Sequence, residues 1–207
     1  MYDIALATST YFGGLYGNVT DPEYRRGLFE NLVNSIHRMN KEYKFCWIIG
    51  DDCSPSGSPS PKIMDMDVIV YRQEHNVGQP TNYLQTVEKA RAHSQWVLVV
   101  DDDGEVVAPD IINRLLWLVR KYPDAQCYSA FNSPYHIAAK VYDDHVLKHS
   151  TCEHGRFFRS SWSGFGEVPW PIPVLRPSAL QHCGKFGLNG TEDDFDRELR
   201  TGTFICA

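Results

Sequence analysis

Three consecutive aspartates follow an apolar run in the middle of the chain. The segment VLVVDDDGE leads branched apolar residues directly into Asp101, Asp102 and Asp103. Three adjacent carboxylates repel one another, so the cluster costs stability unless a cation compensates for their charge. Asp101 and Asp103 offer the hard oxygen ligands that Mg²⁺ and Mn²⁺ prefer, usually alongside waters and substrate phosphates. The triplet therefore indicates a divalent metal site, with a solvated acidic turn before the next helix as the alternative.

Two further acidic clusters could contribute to the same chemistry. Asp51 and Asp52 end the apolar run FCWIIGDD and could accept hydrogen bonds from a base or a ribose. A turn closed by Ser54 is an equally good interpretation of that pair. Near the C-terminus, Glu192 and Asp193 stand in the first turn of a predicted helix, where the helix dipole favours acids. A carboxylate buried there could instead act as a general base.

Alternating strand and helix patterns position these acids in the first part of the chain. Apolar runs and amphipathic stretches predict strands over residues 3–11, 45–54, 67–73 and 95–100, and helices over residues 21–40, 81–93 and 109–122. Such alternation is typical of βαβ units with a mainly parallel sheet buried on both faces. Ligands of these sheets bind beyond the carboxyl ends of the strands, where the aspartate triplet and the Asp51–Asp52 pair both fall.

The predicted helices carry their own end and face signals. Asp21 and Pro22 suit the N-cap and the first turn of the first helix. The spacing in the second helix places four residues on its buried face: Tyr83, Leu84, Val87 and Ala90. Residues 125–190, rich in aromatic, Pro, Gly and His residues, predict short strands at most, with loops that shape a substrate site. A chain of 207 residues suits a single α/β domain.

Charge and cysteine usage exclude several classes of protein. The net charge of −6 gives no overall attraction to nucleic acid or to an anionic membrane. The six cysteines form no CxxC pairs, and the first 30 residues lack a signal-peptide pattern, which together predict a cytoplasmic protein. No apolar stretch is long enough to cross a bilayer, so we expect peripheral membrane contact at most.

Five motifs in a fixed order carry a family resemblance. The segments TSTY, GDDCS, NVGQPTN, VVDDDGE and TEDDFDRELRTG resemble nucleotide-sugar glycosyltransferases of the GT-A fold, and glycosyltransferase family 2 most of all. The resemblance covers about residues 2–205. It implies a Rossmann-like, mainly parallel central sheet flanked by helices, with an irregular acceptor-side C-terminal half. It further implies a nucleotide-sugar-binding half over residues 1–122 and an acceptor-binding and catalytic-base half over residues 123–207.

The resemblance assigns roles on the nucleotide side. It implies that Thr10 and Tyr11 line the nucleoside pocket, with Tyr11 beside the base. Asp52, with Asp51 as the second choice, would accept a hydrogen bond from uracil. The family's Asn-x-Gly turn, and the asparagine after it near the nucleotide and first sugar, are matched by Asn76, Gly78 and Asn82.

The resemblance also assigns the metal and the base. Asp101 and Asp103 match the DxD carboxylates that hold a metal on the diphosphate. Asp102, which lies between them, is expected to contact the nucleotide-sugar donor. Asp193 matches the family's catalytic base, and Glu192 is the neighbour that would bind the acceptor.

One histidine could complete the metal shell. Five histidines lie in the second half of the chain: His136, His145, His149, His154 and His182. Our choice among them is His182, which precedes the TED segment, although a surface or core position is the commoner role for a histidine.

Two departures from the family qualify the resemblance. Pro80 and Thr81 stand where the family often has Ala-Arg, so an arginine that pairs with phosphate must come from elsewhere or be absent. The chain contains no QxxRW element of processive synthases, which predicts a non-processive enzyme.

The resemblance implies metal-dependent transfer, with inversion, from a nucleoside-diphosphate sugar to an acceptor hydroxyl. Mn²⁺ or Mg²⁺ would be the cofactor, a UDP-sugar the favoured donor, and a glycan, a lipid-linked molecule or another compound with a hydroxyl group the acceptor. A sugar-1-phosphate nucleotidyltransferase is one alternative, but its glycine-rich loop should be basic, and STYFGGLYGN has no Lys or Arg. A non-catalytic cation- or sugar-binding module is the other, and it would need neither the TED segment nor the uracil-side acids.

Overall fold

The computed structural model describes residues 1–13, 22–133, 136, 138–151, 153–162, 164, 168 and 170–182. Its first part alternates strands and helices: β1 (Tyr2–Thr10), α1 (Pro22–His37), β2 (Phe45–Asp51), β3 (Met66–Arg72), α2 (Gln79–His93), β4 (Ser94–Val99), β5 (Gly104–Val106) and α3 (Ile111–Lys121). Its second part adds short strands: β6 (Cys127–Ser129), β7 (Ala138–Val141), β8 (His145–Lys148), β9 (Arg156–Arg159), β10 (Ile172–Leu175) and β11 (Leu180–His182). Every predicted strand and helix of the first part is present, with ends shifted by a few residues. The predicted N-cap Asp21 lies outside the described residues.

The four predicted strands pair in parallel, as their sequence pattern indicates. Nine strands form one sheet in the order β3-β2-β1-β4-β9-β6-β10-β8-β7, and β1 to β4 occupy one side of it. In the register of β1 and β2, Thr10 lies opposite Asp51. The ladder continues past β4, because the Val100 N–H donates to the Ala7 carbonyl over 3.0 Å. The carboxyl ends of β1, β2 and β4 therefore share one edge of the sheet.

Apolar residues bury both faces of this sheet. Strand β2 is buried along its whole length, and α1 packs Leu28, Phe29, Leu32 and Ile36 into the core on one side. The apolar face of α3 adds Ile111 and Leu115 to the same cluster. Since burial of apolar area is the main favourable contribution to folding, these contacts hold the strand ends in place.

The face of α2 differs from the prediction at one residue. Val87 and Ala90 are buried as expected, but the Leu84 side chain is 44% exposed and Asn82 is buried instead. The cause is a close approach to β2 at Gly50, where an added Cβ would lie 1.8 Å from the Thr86 hydroxyl. Polar side chains can pack there because each is satisfied locally. Asn82 Nδ2 donates to the Gly50 carbonyl over 2.8 Å, and Thr86 Oγ1 donates to the Asn82 carbonyl over 2.7 Å.

Short strands of the second part extend the sheet beyond β4. Strand β9 runs antiparallel between β4 and β6, and β10 pairs in parallel with β6. The sequence predicts short strands at most in this region, which agrees with lengths of three or four residues. The resulting sheet is parallel over β1 to β4 and mixed beyond them.

A two-stranded ribbon brings the end of the described chain back to the aspartate triplet. Strand β11 pairs antiparallel with β5, with Leu180 opposite Val106 and the backbone of His182 opposite Gly104. The last described residues therefore lie directly beside the segment that follows Asp103. Within the described ranges, no helix has the length and apolarity to span a membrane.

Candidate active site

The aspartate triplet forms a turn, which we call the acidic turn (Asp101–Asp103), at the carboxyl end of β4. The Gly104 N–H donates to the Asp101 carbonyl over 3.0 Å and closes this turn. The three side chains have different surroundings: Asp101 is 37% exposed, whereas Asp102 and Asp103 are each 7% exposed. The acidic turn therefore has one solvent-accessible carboxylate, Asp101, and two buried ones, Asp102 and Asp103.

Asp102 is held by the protein itself. Thr10 Oγ1 donates to its Oδ2 over 2.7 Å, and Arg25 Nη2 donates to Oδ1 and Oδ2 over 2.7 and 2.8 Å. Burial raises the pKa of Asp102 above the usual carboxylate range, the Arg25 guanidinium opposes that rise, and the Asp103 charge adds to it. Asp102 in turn raises the pKa of Arg25. This carboxylate thus joins β1, α1 and β4, and its predicted contact with a donor stays a prediction.

Arg25 partly compensates for the charge of the acidic turn. Its Nη1 lies 3.8 Å from Asp103 Oδ2, and its side chain is 13% exposed. Sequence reasoning missed this residue. A signal was available, because Arg25 precedes Leu28, Phe29 and Leu32 at helical spacing and so continues the buried face of α1.

His154 also lies at this site; it is one of the five histidines considered for the metal shell, of which His182 is the one chosen. It is buried in the segment before β9, and its Nδ1 accepts a hydrogen bond from the Asp101 N–H over 3.1 Å. The same nitrogen lies 3.7 Å from the Asp101 carboxylate. No local sequence signal marks the pairing, since 53 residues separate its two members.

The chemistry of the acidic turn fits a hard divalent cation. Among the residues that the structure describes, no three His, Cys, Asp or Glu side chains form a ready metal site. Mg²⁺ commonly binds through one or two carboxylates, with water and substrate phosphates as its other ligands. Asp101 and Asp103 can supply that pair, whereas Asp102 is bound by Thr10 and Arg25.

Asp51 anchors the loop after β2. Its side chain is fully buried and accepts hydrogen bonds from the Ser54 N–H, the Ser54 and Ser58 hydroxyls and the Arg72 guanidinium. The distance from Arg72 Nη1 to Asp51 Oδ2 is 2.8 Å. Both carboxylate oxygens are therefore engaged by the protein, as expected for the turn acid that the sequence offered as the alternative.

Asp52 organises the turn that precedes α2. The N–H groups of Val77 and Gly78 donate to its two oxygens over 2.7 and 2.9 Å, and its own N–H donates to the Thr10 carbonyl over 2.9 Å. Asn76 Oδ1 accepts from the same Gly78 N–H over 3.1 Å. The structure thus brings Thr10, Asp52, Asn76 and Gly78 together in one network, and the Asn82 N–H joins it by donating to the Gly78 carbonyl over 3.0 Å.

Gly78 has a backbone conformation that other residues rarely adopt. Its φ is 84° and its ψ is 151°, a region essentially restricted to glycine. An added Cβ would meet nothing within 4 Å, so any cost of a side chain is backbone strain and not a clash.

We expect Gly78→Ala to lower the free energy of unfolding by about 1–3 kcal/mol. Gly27→Ala is the matched control, because Gly27 lies inside α1 with equally open space and no positive φ. The control should gain about 0.5–1 kcal/mol from better helix propensity. Urea unfolding measures both, and equal shifts of the same sign would show that the turn conformation does not matter.

Tyr11 lies beside this network. It is half-buried, and its ring passes so close to Gly13 that a Cβ there would lie 2.3 Å from a ring carbon. The neighbouring Phe12 N–H donates to Ser54 Oγ over 2.8 Å, which joins the end of β1 to the Asp51 loop. The predicted position of Tyr11 beside the base stays a prediction.

Three predicted residues cannot be placed. Glu192 and Asp193 lie outside the described residues, and for His182 the structure describes the backbone in β11 but not the side chain. The pairing of β11 with β5 brings the backbone of His182 next to the acidic turn.

Comparisons with known proteins define the class. The family model described as glycosyl transferase family 2 matches residues 23–166. The fold is that of GT-A glycosyltransferases. The chain belongs to glycosyl transferase family 2. A comparison with curated protein sequences found no match.

Solved structures share the fold at low sequence identity. A crystal structure of S. aureus TarS residues 1–349 has a TM-score of 0.54 at 13% identity, over 96% of this chain and 64% of that one. A complex of the same TarS region with UDP-GlcNAc gives 0.53 at 12% identity, over 77% and 46%. GalNAc-T7 with UDP, GalNAc and Mn²⁺ gives 0.59 at 13% identity, over 96% and 48%. This chain thus spans less than two thirds of each of these structures.

Proposed function

We propose that this chain catalyses the metal-dependent, non-processive transfer of a sugar from a nucleoside-diphosphate sugar, with a UDP-sugar favoured, to an acceptor hydroxyl with inversion. The observation that carries the proposal is the shared strand edge. It places the acidic turn next to the network of Thr10, Asp52 and Gly78 in a chain of glycosyl transferase family 2. Complexes of structural neighbours with UDP-GlcNAc, and with UDP, GalNAc and Mn²⁺, support the donor and the metal.

Asp101 and Asp103 are the proposed metal ligands. A divalent metal bound there would offset the charge that develops on the leaving diphosphate. Arg25 keeps Asp102 directed away from that role and adds positive charge 3.8 Å from Asp103. Arg25 would therefore supply positive charge beside the diphosphate. The family often has an arginine for this purpose at the positions that Pro80 and Thr81 occupy in this chain.

Asp52 is the proposed contact to uracil. Its two oxygens each accept one backbone N–H bond, and a carboxylate has about four acceptor positions in all. It therefore retains capacity for an N–H group of a base. Thr10 and Tyr11 would border the same pocket, and Asn76, Gly78 and Asn82 would shape it near the first sugar.

We place the acceptor chemistry in the second half of the chain. Asp193 would take the proton from the acceptor hydroxyl, Glu192 would bind the acceptor, and His182 would add a metal ligand. Attack from the face opposite the diphosphate gives inversion.

Residues 1–122 and 123–207 would then be two halves of a single domain, with a glycan, a lipid-linked molecule or another compound with a hydroxyl group as the acceptor. The free thiols of Cys46, Cys53 and Cys127 fit the proposed cytoplasmic location.

A donor panel tests the proposal. The purified chain is incubated with UDP-, GDP- and dTDP-sugars and Mn²⁺, with and without EDTA, and nucleoside diphosphate release is measured. We expect slow hydrolysis of at least one UDP-sugar that EDTA abolishes, with NMR showing the inverted anomer as the first product. Release that is unaffected by EDTA, or retention at the anomeric carbon, would contradict the proposal. Nucleotide-sugar synthesis from a sugar 1-phosphate would instead favour the nucleotidyltransferase alternative.

A further inference from the structure

His154 is in direct contact with the backbone of the acidic turn. Its side chain is 3% exposed, and its Nδ1 lies 3.1 Å from the Asp101 nitrogen. A backbone N–H can only donate, so Nδ1 must be the acceptor and carries no proton. A neutral imidazole with this arrangement has its proton on Nε2.

Two glycines allow the ring to approach so closely. A Cβ at Gly104 would lie 2.6 Å from His154 Cε1, so a side chain in that position would displace the ring. Gly155 has φ 79°, and a Cβ there would lie 2.8 Å from the Cβ and the backbone nitrogen of Phe131. The Phe131 ring contacts the imidazole edge-on at 5.0 Å between centroids. The imidazole is therefore packed between the acidic turn and the segment after β6.

The segment that carries His154 is itself fixed to the sheet. The Gly155 N–H donates to the Val99 carbonyl over 2.9 Å, and the Gly155 carbonyl accepts from the Ala130 N–H over 2.8 Å. Val99 is the last residue of β4. The main chain that carries the imidazole is thus attached to the same strand that ends in the acidic turn.

The position of the proton on the His154 ring determines whether the ring binds the carboxylate or the main chain of Asp101. The Asp101 carboxylate lies 3.7 Å from Nδ1, and a proton on that nitrogen would bind the carboxylate to the ring. An unprotonated Nδ1 instead holds the main chain of Asp101 and offers its carboxylate no hydrogen. The Asp101 carbonyl is fixed at the same time by the Gly104 N–H. Both backbone polar groups of Asp101 are therefore held in place by hydrogen bonds.

We infer that His154 is a positioning residue, which uses Nδ1 to set the Asp101 main chain so that the acidic turn can bind a divalent cation. The role in cation binding rests on the proposed function. Mutation of a group that orients a metal ligand typically lowers the affinity for the metal 10–100-fold.

Two substitutions separate this role from simple packing. The side-chain oxygen of asparagine in His154→Asn falls near the place of Nδ1, whereas the oxygen of glutamine in His154→Gln falls near Nε2. Both lose the ring contact with Phe131, so packing loss is similar in the two. We expect His154→Asn to retain most of the affinity for Mn²⁺, and His154→Gln to lose about 10–100-fold. The titration follows free Mn²⁺ by electron paramagnetic resonance, with Mn²⁺ alone and with UDP added, and thermal unfolding monitors the fold.

Nuclear magnetic resonance of the metal-free protein tests the tautomer directly. Histidine is labelled with ¹⁵N, long-range ¹H–¹⁵N correlations are recorded, and the His154 signals are assigned by their absence in His154→Asn. We expect the Nε2–H tautomer, and an Nδ1–H tautomer would overturn the inference. Equal loss of Mn²⁺ affinity in the two variants, or no loss in either, would also overturn it. If the parent releases no nucleoside diphosphate from any donor, the proposed function is wrong. The tautomer of His154 is measured on the metal-free protein, so it tests the contact with Asp101 independently of that result.

Discussion

Asp103→Asn should remove nearly all nucleoside diphosphate release while leaving the chain folded. The substitution keeps the shape of the side chain but removes the charge that would hold the metal beside the diphosphate. Loss of an outer partner of a metal ligand typically costs 10–100-fold, so loss of the proposed ligand itself should cost about 100-fold or more. Stability should change little, because removal of the Asp103 charge relieves its repulsion with buried Asp102 and also loses its 3.8 Å attraction to Arg25, and the two effects oppose each other.

Asp110→Asn is the matched control for Asp103→Asn. Asp110 is an exposed aspartate that precedes α3 and makes no side-chain cap hydrogen bond. Its substitution should change neither the release rate nor the Mn²⁺ dependence. The measurement is initial rate against Mn²⁺ concentration, alongside urea unfolding of each variant. If Asp103→Asn retains the parent rate at all Mn²⁺ concentrations, Asp103 does not bind the metal.

Asp102→Ala should have the largest effect on stability. It would leave the Arg25 guanidinium buried without its main partner and remove the acceptor of the Thr10 hydroxyl. Removal of one member of a buried ion pair costs about 3–5 kcal/mol, because an uncompensated charge stays behind. The free energy of unfolding, measured by urea denaturation without metal, should fall by that amount.

A double-mutant cycle identifies the source of this loss. Arg25→Ala should also be destabilising, since it leaves Asp102 buried beside Asp103, and the double variant should lose less than the sum of the two. Arg38→Ala is the matched control, because Arg38 forms a 3.0 Å ion pair with Glu105 while its side chain is 57% exposed. That pair should contribute at most about 1 kcal/mol. If Asp102→Ala costs no more than Arg38→Ala, Asp102 is not the link between β1, α1 and β4.

The common strand edge could be predicted because it depends on local patterns. Apolar runs of the right length mark β1, β2 and β4, and parallel pairing then places Thr10, Asp52 and the acidic turn together without any knowledge of side-chain contacts. Family membership, predicted from five short motifs in order, is confirmed by the match over residues 23–166.

Contacts between distant segments could not be predicted in the same way. Strand β9 has four residues and lies between β4 and β6, and nothing in its local sequence specifies those neighbours. His154 is similar, since its role follows only once β9 is paired. Arg25 was detectable in principle from its place on the apolar face of α1, but an arginine at such a position is commonly assigned to the surface. Leu84 shows the reverse error, because the approach of α2 to Gly50 made polar residues the buried ones.

The different binding partners of neighbouring acids could be identified only from the structure. Asp51 and Asp52 are the same residue type in one motif, yet Asp51 binds the loop that contains Ser54, and Asp52 binds the turn before α2. Successive residues at the end of a strand point to opposite faces, so their partners come from different segments. The sequence could rank the two for a uracil contact only by family resemblance.

The most direct test is a crystal structure with Mn²⁺ and UDP, with data collected to locate manganese by its anomalous scattering. We predict one manganese peak between the carboxylates of Asp101 and Asp103, with the diphosphate on the metal and the uracil near Asp52. A nucleotide bound elsewhere, or a manganese peak away from the acidic turn, would contradict it.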